Sequence, residues 1–396
     1  MPTAVIVDAV RTAGGKRHGK LSGWHPADLA AECLDSLVDR TQLDPAIVDD
    51  VVMGCVMQAG GQSVNVARNA VLAANWPEEV PATTVDRQCG SSQQATHFAA
   101  QAVMAGAQDI VIASGVEVMS LVPMGASIGD GRFGYPFGPR VGARYADVGG
   151  LVPQGISAEM IAEKWGLSRE DLDGYALQSQ QRAARARDEG RFENEIVAVR
   201  SIHRDKEAVN VTETDETVAA DEGIRDTSME ALANLKPSFK PDGKVTAGNS
   251  SQITDGASAA LIMSEEKANE LGLRPRARFH AFAVTGVDPV MMLTGPIPAT
   301  EKVLDRAGLS LDDIDLVELN EAFASVVLAW QRETGADWDK VNVNGGAIAL
   351  GHPLGASGTK LLATLLNELE RTHGRWGLQV MCEGGGLANA TVIERL

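Results

Sequence analysis

A chain of 396 residues, 44% hydrophobic and 22% charged, is long enough for two domains or for one large α/β domain with an insertion. Lys and Arg number 35 against 53 Asp and Glu, a formal net charge of −18, which repels nucleic acid and anionic membrane and argues against both as partners. No run approaches the roughly 18 apolar residues of a membrane helix, and "MPTAVIVDAVRT" opens as a strand without a secretory leader pattern. The four cysteines (Cys33, Cys55, Cys89 and Cys382) contain no C-x-x-C pair. That argues against a disulfide framework and a zinc cluster, and for a reducing, cytoplasmic location.

The first 120 residues alternate between strand and helix. "TAVIVDAV" reads as a strand, "PADLAAECLDSLVDRT" has helical apolar spacing from Leu29 to Leu37, "VDDVVMGCV" is a strand and "NVARNAVLAAN" a helix. An alanine-rich helix follows "RQCGSS", and "QDIVIASGVEVMS" is a buried strand running into a turn. Such alternation predicts a mainly parallel sheet covered by helices. From about Leu121 a stretch rich in Gly and Pro suits a loop lining a cleft, followed by helices with an N-cap signal at Ser168 and a charged, solvated stretch from Arg200 to Asp226. Strand–helix alternation resumes after "GKVTAGNSSQITDGASAALIMS", and the last segment repeats the order of the first: a Gly-rich loop, a helix, a strand from Leu378 to Met381 and a Gly turn. The pattern implies two related halves with a site between them.

Four segments carry candidate chemistry. Cys89 stands where a helix begins, between Arg87–Gln88 and a Gly-Ser-Ser turn, and free N–H groups there favour a thiolate; the competing reading is a small buried filler. His352, in "NGGAIALGHPLGASG", is a base or hydrogen-bond donor held where glycines let backbone and ligand approach, or else a structural histidine. Cys382 leaves a strand into Gly384–Gly386, whose unhindered N–H groups could bind an oxyanion, or which simply form a tight turn. Asn320, with Glu321, occupies a strand–helix junction, where Asn is also a routine N-cap. Cys33 and Cys55 read as core. Two thiols together make sense if one forms a thioester while the other moves a proton on carbon, the demand of a Claisen reaction.

Taken together, "DRQCGSSQQA", "NEAFA", "GHPLGASG" and "CEGGG" strongly resemble the four motifs of the thiolase family, in family order, and the match runs from about Val5 to Leu396. The resemblance implies an α/β fold of two similar βαβαβαββ halves in a five-layered αβαβα sandwich. Its expected division is residues 1–120 and 246–275 for the N-terminal half, 121–245 for a loop domain inserted over the active site, and 276–396 for the C-terminal half. It implies a homodimer, commonly assembled into a homotetramer, with no permanently bound cofactor or metal and with coenzyme A as co-substrate. By position, Cys89 is the nucleophile, His352 activates it and Cys382 is the acid/base. One oxyanion site pairs His352 with a water held by Asn320, and the other uses the N–H groups of Cys89 and Gly384. Ser251, Ala322 and Phe323 lie near the CoA pantetheine, and Arg225 is the candidate for the CoA phosphates, although its spacing differs slightly from the family pattern.

The implied reaction is CoA-dependent cleavage of a 3-ketoacyl-CoA to acetyl-CoA and a shortened acyl-CoA, with condensation of two acetyl-CoA as the alternative. "VEVMSLVPMG" resembles degradative thiolases, while "CEGGG" and "DRQCGSSQQ" are similar to thiolases of bulky ring or sterol-derived acyl-CoAs. Ser91–Ser92 and Glu383 depart from the family pattern without removing a catalytic atom. A decarboxylating ketosynthase would need two histidines, where this chain has Asn320 and Cys382. A non-catalytic acyl-binding protein would have no need of Cys89, His352 and Cys382 together.

Overall fold

The computed structural model describes residues 2–205 and 210–396. Nine principal strands run in chain order as β1 (Ala4–Thr12), β2 (Asp50–Gly54), β3 (Ala82–Val85), β4 (Ile110–Val118), β5 (Thr254–Ser264), β6 (Ala277–Gly286), β7 (Leu316–Leu319), β8 (Trp376–Glu383) and β9 (Leu387–Arg395). Across the sheet their order is β7-β8-β9-β6-β1-β5-β4-β2-β3. The two half-sheets meet where β1 pairs with β6 at Val5 and Ile6. Within the N-terminal half, β3, β2 and β4 are parallel while β5 runs antiparallel between β4 and β1. In the C-terminal half, β7 and β8 are parallel while β9 runs antiparallel between β8 and β6. β1, β4 and β5 are buried along their whole length, as their continuous apolar runs require of strands covered on both faces.

Helices α1 (Pro26–Thr41), α2 (Val66–Ala73) and α3 (Ser91–Met104) belong to the first half; α4 (Gln154–Lys164) and α5 (Arg169–Asp188) lie between β4 and β5; α6 (Pro296–Ala307), α7 (Ala324–Thr334) and α8 (Ser357–Thr372) belong to the second half. Three apolar clusters define the layers. One packs α1 and α2 on the N-terminal strands, and another packs α4 to α7 on the C-terminal strands. The third fills the middle, where Ala95, Ala99 and Val103 of α3 meet Leu362, Leu365 and Leu366 of α8 between the two half-sheets. Thirteen consecutive residues of α8, Ser357 to Leu369, are buried, as expected of a helix enclosed on all sides. This is the expected five-layered architecture.

Each half reads βαβαβαββ, with one departure. The strand of the second half that would match β3 is reduced to a bridge between Val341 and Val317. The stretch from Arg200 to Asp226 is also less uniformly solvated than its charge predicts. Val199–Arg204 and Val211–Val218 form an antiparallel hairpin, with residues 206–209 outside the described residues. Asp221 is buried against Arg11 at 2.8 Å, and Arg11 also binds Glu195 at 2.6 Å. A buried guanidinium needs such partners, and two carboxylates from the segment between β4 and β5 reach it. Ser168 caps α5 as expected, in a capping box with Asp171.

The two central helices touch at their N-termini. A Cβ built on Gly358 would lie 2.0 Å from the Gln93 backbone nitrogen, and the Thr359 N–H donates to Ser92 Oγ at 3.0 Å. This close crossing brings the segment before α3 and the segment before α8 to one place. Gly358→Ala is therefore expected to force the helices apart and cost about 1–3 kcal/mol, read from the urea unfolding midpoint; an unchanged midpoint would mean that the crossing carries no strain.

Candidate active site

Cys89 sits in a tight turn that ends one residue before α3. The turn is closed by the Gly90 N–H to the Arg87 carbonyl at 3.1 Å and the Ser91 N–H to the Gln88 carbonyl at 3.0 Å. Ser91 Oγ donates to the Gln88 carbonyl at 2.6 Å and accepts from the Arg87 N–H at 2.9 Å, so the first serine of the motif shapes the turn. Gln88 has φ +49°, a left-handed conformation that costs a residue with a Cβ about 1 kcal/mol or more and fixes where the next residue points.

The thiol of Cys89 is buried and opens onto a pocket of about 230 Å³. That pocket is also lined by His352, Ser251, Ala322 and Phe323, with Met119, Met124, Phe239 and Leu354 as apolar walls. Burial raises the Cys89 pKa above that of an ordinary thiol, and Cys382 and Glu383 nearby add to the rise; the Gln154 side chain and the Gly384 N–H pull the other way without prevailing. The expectation that the helix start favours a thiolate is thus outweighed in the resting site. Desolvation wins, and Cys89 rests as a neutral thiol.

His352 is buried behind it. Its Nδ1 lies 2.5 Å from Ser357 Oγ, whose single proton goes to the Pro353 carbonyl at 2.8 Å. The serine oxygen must therefore accept from Nδ1–H, which leaves Nε2 as the bare nitrogen. The Asn320 amide reaches that nitrogen at 3.4 Å. Burial, and then the Lys360 ammonium, lower the His352 pKa to about 3, so the ring is a neutral base at ordinary pH. The His352 N–H donates to Thr254 Oγ1 at 2.9 Å, and Lys360 Nζ holds the preceding carbonyls of Leu350 and Gly351 at 2.5 and 3.0 Å.

Asn320 does not cap a helix. It follows β7, and α7 begins only after Phe323. Its Nδ2 also reaches Cys382 Sγ at 3.8 Å, and its Oδ1 is buried with no partner among the described residues. Neighbouring Glu321 locks the segment by accepting from Tyr175 and Ser179 of α5, each at 2.7 Å, and from the Ile348 N–H at 3.1 Å. Cys382 lies within β8, one residue before its end, fully buried. Its pKa is pushed up to about 12, mainly by burial, against the opposing pull of Asn320.

The structure thus brings Cys89, His352, Asn320, Cys382 and the Gly384 N–H together, with Ser251, Ala322 and Phe323 on the pocket wall. Arg225 lies apart: it lines a separate depression of about 310 Å³ with Arg187 and Thr227, and its backbone N–H binds Gln180. Gln252 of the Cys89 pocket donates to the Gly223 carbonyl, two residues before Arg225, at 2.8 Å. Sequence reasoning missed Ser357, Thr254 and Gln154. Ser357 had a signal, as a hydroxyl five residues after a histidine in a closed Gly-Pro loop; the other two are too far away in sequence to leave one.

Two family models cover nearly all of the chain, the thiolase N-terminal domain over residues 4–266 and the thiolase C-terminal domain over residues 273–395. The chain belongs to the thiolase family of acyltransferases. It is 53% identical to a steroid 3-ketoacyl-CoA thiolase of Mycobacterium tuberculosis, over 100% of this chain and 95% of that one. It is 45% identical to a 3-ketoacyl-CoA thiolase of Aliivibrio fischeri over the full length of both. The crystal structure of the Bacillus anthracis acetyl-CoA acetyltransferase superposes with a TM-score of 0.89 at 37% identity, covering 100% of this chain and 99% of that one.

If Ser357 fixes the histidine tautomer, Ser357→Ala frees the ring to place its proton on Nε2. General-base catalysis is worth roughly 10²–10⁴, so turnover is expected to fall by about 10–100-fold while the melting temperature changes little; unchanged turnover would remove the serine from this role.

Proposed function

We propose that the chain cleaves 3-ketoacyl-CoA with CoA, giving acetyl-CoA and an acyl-CoA shortened by two carbons. The observation that carries this reading is the polar chain from Ser357 through His352 and Asn320 to Cys382, with His352 and Cys89 lining one apolar pocket. Nε2 of His352 takes the Cys89 proton, and the thiolate attacks the C3 ketone. The C2–C3 bond breaks, the acyl group stays on Cys89 as a thioester, and Cys382 protonates the departing acetyl-CoA carbanion. Cys382 then takes the proton of incoming CoA, whose thiolate removes the acyl group, and the released Cys89 thiolate recovers its proton from His352. The N–H groups of Cys89 and Gly384 are the proposed donors to one oxyanion, and His352 with an Asn320-held water the donors to the other. Removing one such donor typically costs about 10²–10³ in turnover.

The apolar walls formed by Met119, Met124, Phe239 and Leu354 support an acyl chain longer than acetyl, in line with a role in fatty-acid, lipid or sterol breakdown. Residues 121–245 act as the loop domain over the site, since Met124, Gln154, Ser238 and Phe239 of that stretch line the pocket. Residues 1–120 with 246–275, and 276–396, form the two halves, supported by the pairing of β1 with β5. Cytoplasmic location is supported by four free cysteines, and no helix among the described residues is long and apolar enough to cross a membrane. Assembly as a homodimer or homotetramer completes the proposal, supported by exposed Phe133, Tyr135 and Phe137 in the inserted stretch.

Incubation with acetyl-CoA is expected to add one acetyl group to Cys89, seen by intact mass and lost in Cys89→Ala, and a chain-length series is expected to show turnover beyond four carbons. No adduct would overturn the thiolase reading; activity confined to acetoacetyl-CoA would replace it with the acetyl-CoA acetyltransferase alternative. Arg225 stays the candidate for the CoA phosphates, so Arg225→Ala should raise KM for CoA while leaving kcat nearly unchanged, and an unmoved KM would exclude it.

A further inference from the structure

Glu383 closes β8 immediately after Cys382, and its side chain is completely buried. Neither carboxyl oxygen has a hydrogen-bond partner among the described residues. A Cβ built on Gly90 would fall 1.9 Å from Glu383 Oε1, so the carboxyl rests directly against the backbone of the residue after Cys89. It therefore touches the nucleophile's turn through space and the second thiol through the chain. Three further groups face it. The Arg87 charge is attractive, with an Nε that is itself buried and unpartnered; Asp86 is repulsive; and the Asn389 N–H of β9 points at it from beyond hydrogen-bonding geometry.

A buried carboxyl that no protein donor satisfies ionises reluctantly, because the charged form has little to replace its hydration. Burial accordingly raises the Glu383 pKa well above the ordinary carboxylate range, against the pull of Arg87. The same carboxyl opposes ionisation at both Cys89 and Cys382. Like charges a few ångströms apart disfavour each other, and the coupling is mutual.

We propose that Glu383 is a positioning residue for both thiols of the thiolase reaction: it works as the neutral acid, and once ionised it holds Cys89 and Cys382 in their protonated forms. The neutral acid fills the space against Gly90 without opposing the thiolate. Loss of its proton as pH rises then limits how far thiolate formation can follow. This inference rests on the thiolase reading for its catalytic meaning, but the coupling among the three groups can be measured without turnover.

The test is the rate of Cys89 alkylation by iodoacetamide in the full chain, followed by mass spectrometry of the Cys89 peptide from pH 6 to pH 10. The wild type is compared with Glu383→Gln, which keeps the shape but cannot ionise. The two rates are expected to run together at low pH and then diverge, the wild type falling about tenfold behind, the effect of one pH unit in thiol acidity. Parallel curves, coincident or offset by a constant factor, would reduce Glu383 to a packing role and overturn the proposal. If Glu383→Gln fails to fold by circular dichroism, Glu383→Met supplies the same comparison. An acetyl adduct with parallel curves would reject only this coupling, whereas diverging curves with no adduct would reject only the thiolase reading.

Discussion

One buried carboxylate fixes where the two halves meet. Glu117, near the end of β4, accepts the Val56 and Gly355 N–H groups on one oxygen, each at 2.9 Å, and the Met57 N–H and Gln62 amide on the other, at 3.0 and 2.6 Å. Val56, Met57 and Gln62 belong to the first half, and Gly355 to the histidine loop of the second. Removing this acceptor would leave the Val56, Met57 and Gly355 N–H groups unpaired. The register of His352 against Cys89 depends on this contact and on the helix crossing at Gly358, which comes so close that no side chain fits.

The site that results is neutral at rest. Burial raises Cys89 and Cys382 and lowers His352, so none of the three carries charge before substrate arrives. A catalytic thiolate–imidazolium pair formed in advance would need solvation that this pocket lacks. The chemistry must instead move protons as bonds form, with Nε2 bare because Ser357 has fixed the other nitrogen. Desolvation is therefore the stronger influence on the nucleophile, and the helix start assists it only as charge develops.

Much of this was legible in the chain. Repeated strand–helix order foretold two like halves, and Cys89, His352, Asn320 and Cys382 were marked by polar or Gly-rich surroundings at element ends. Hidden were the partners that hold them. Thr254 lies 98 residues from His352, Gly355 is 238 from Glu117, and Tyr175 and Ser179 are 146 and 142 from Glu321. A glutamate in "SGVEVMS" looks like any other strand-end acid until the fold brings four donors to it. Asp221 was concealed for the same reason: its charge predicted solvent, while its partner Arg11 stood 210 residues away.

The two halves differ at their outer edges. β3 ends the sheet on one side with Thr83 exposed, whereas β7 on the other side is buried at all four residues. Beyond β7 the single Val341 bridge is covered by Arg182 of α5, which binds the Val341 carbonyl at 2.5 Å and that of Trp338 at 2.9 Å. A sheet with two bare edges is a template for endless strand addition. Here, among the described residues, the incomplete repeat and the helix that covers it leave the main sheet one bare edge, so a strand added to that sheet would pair with β3.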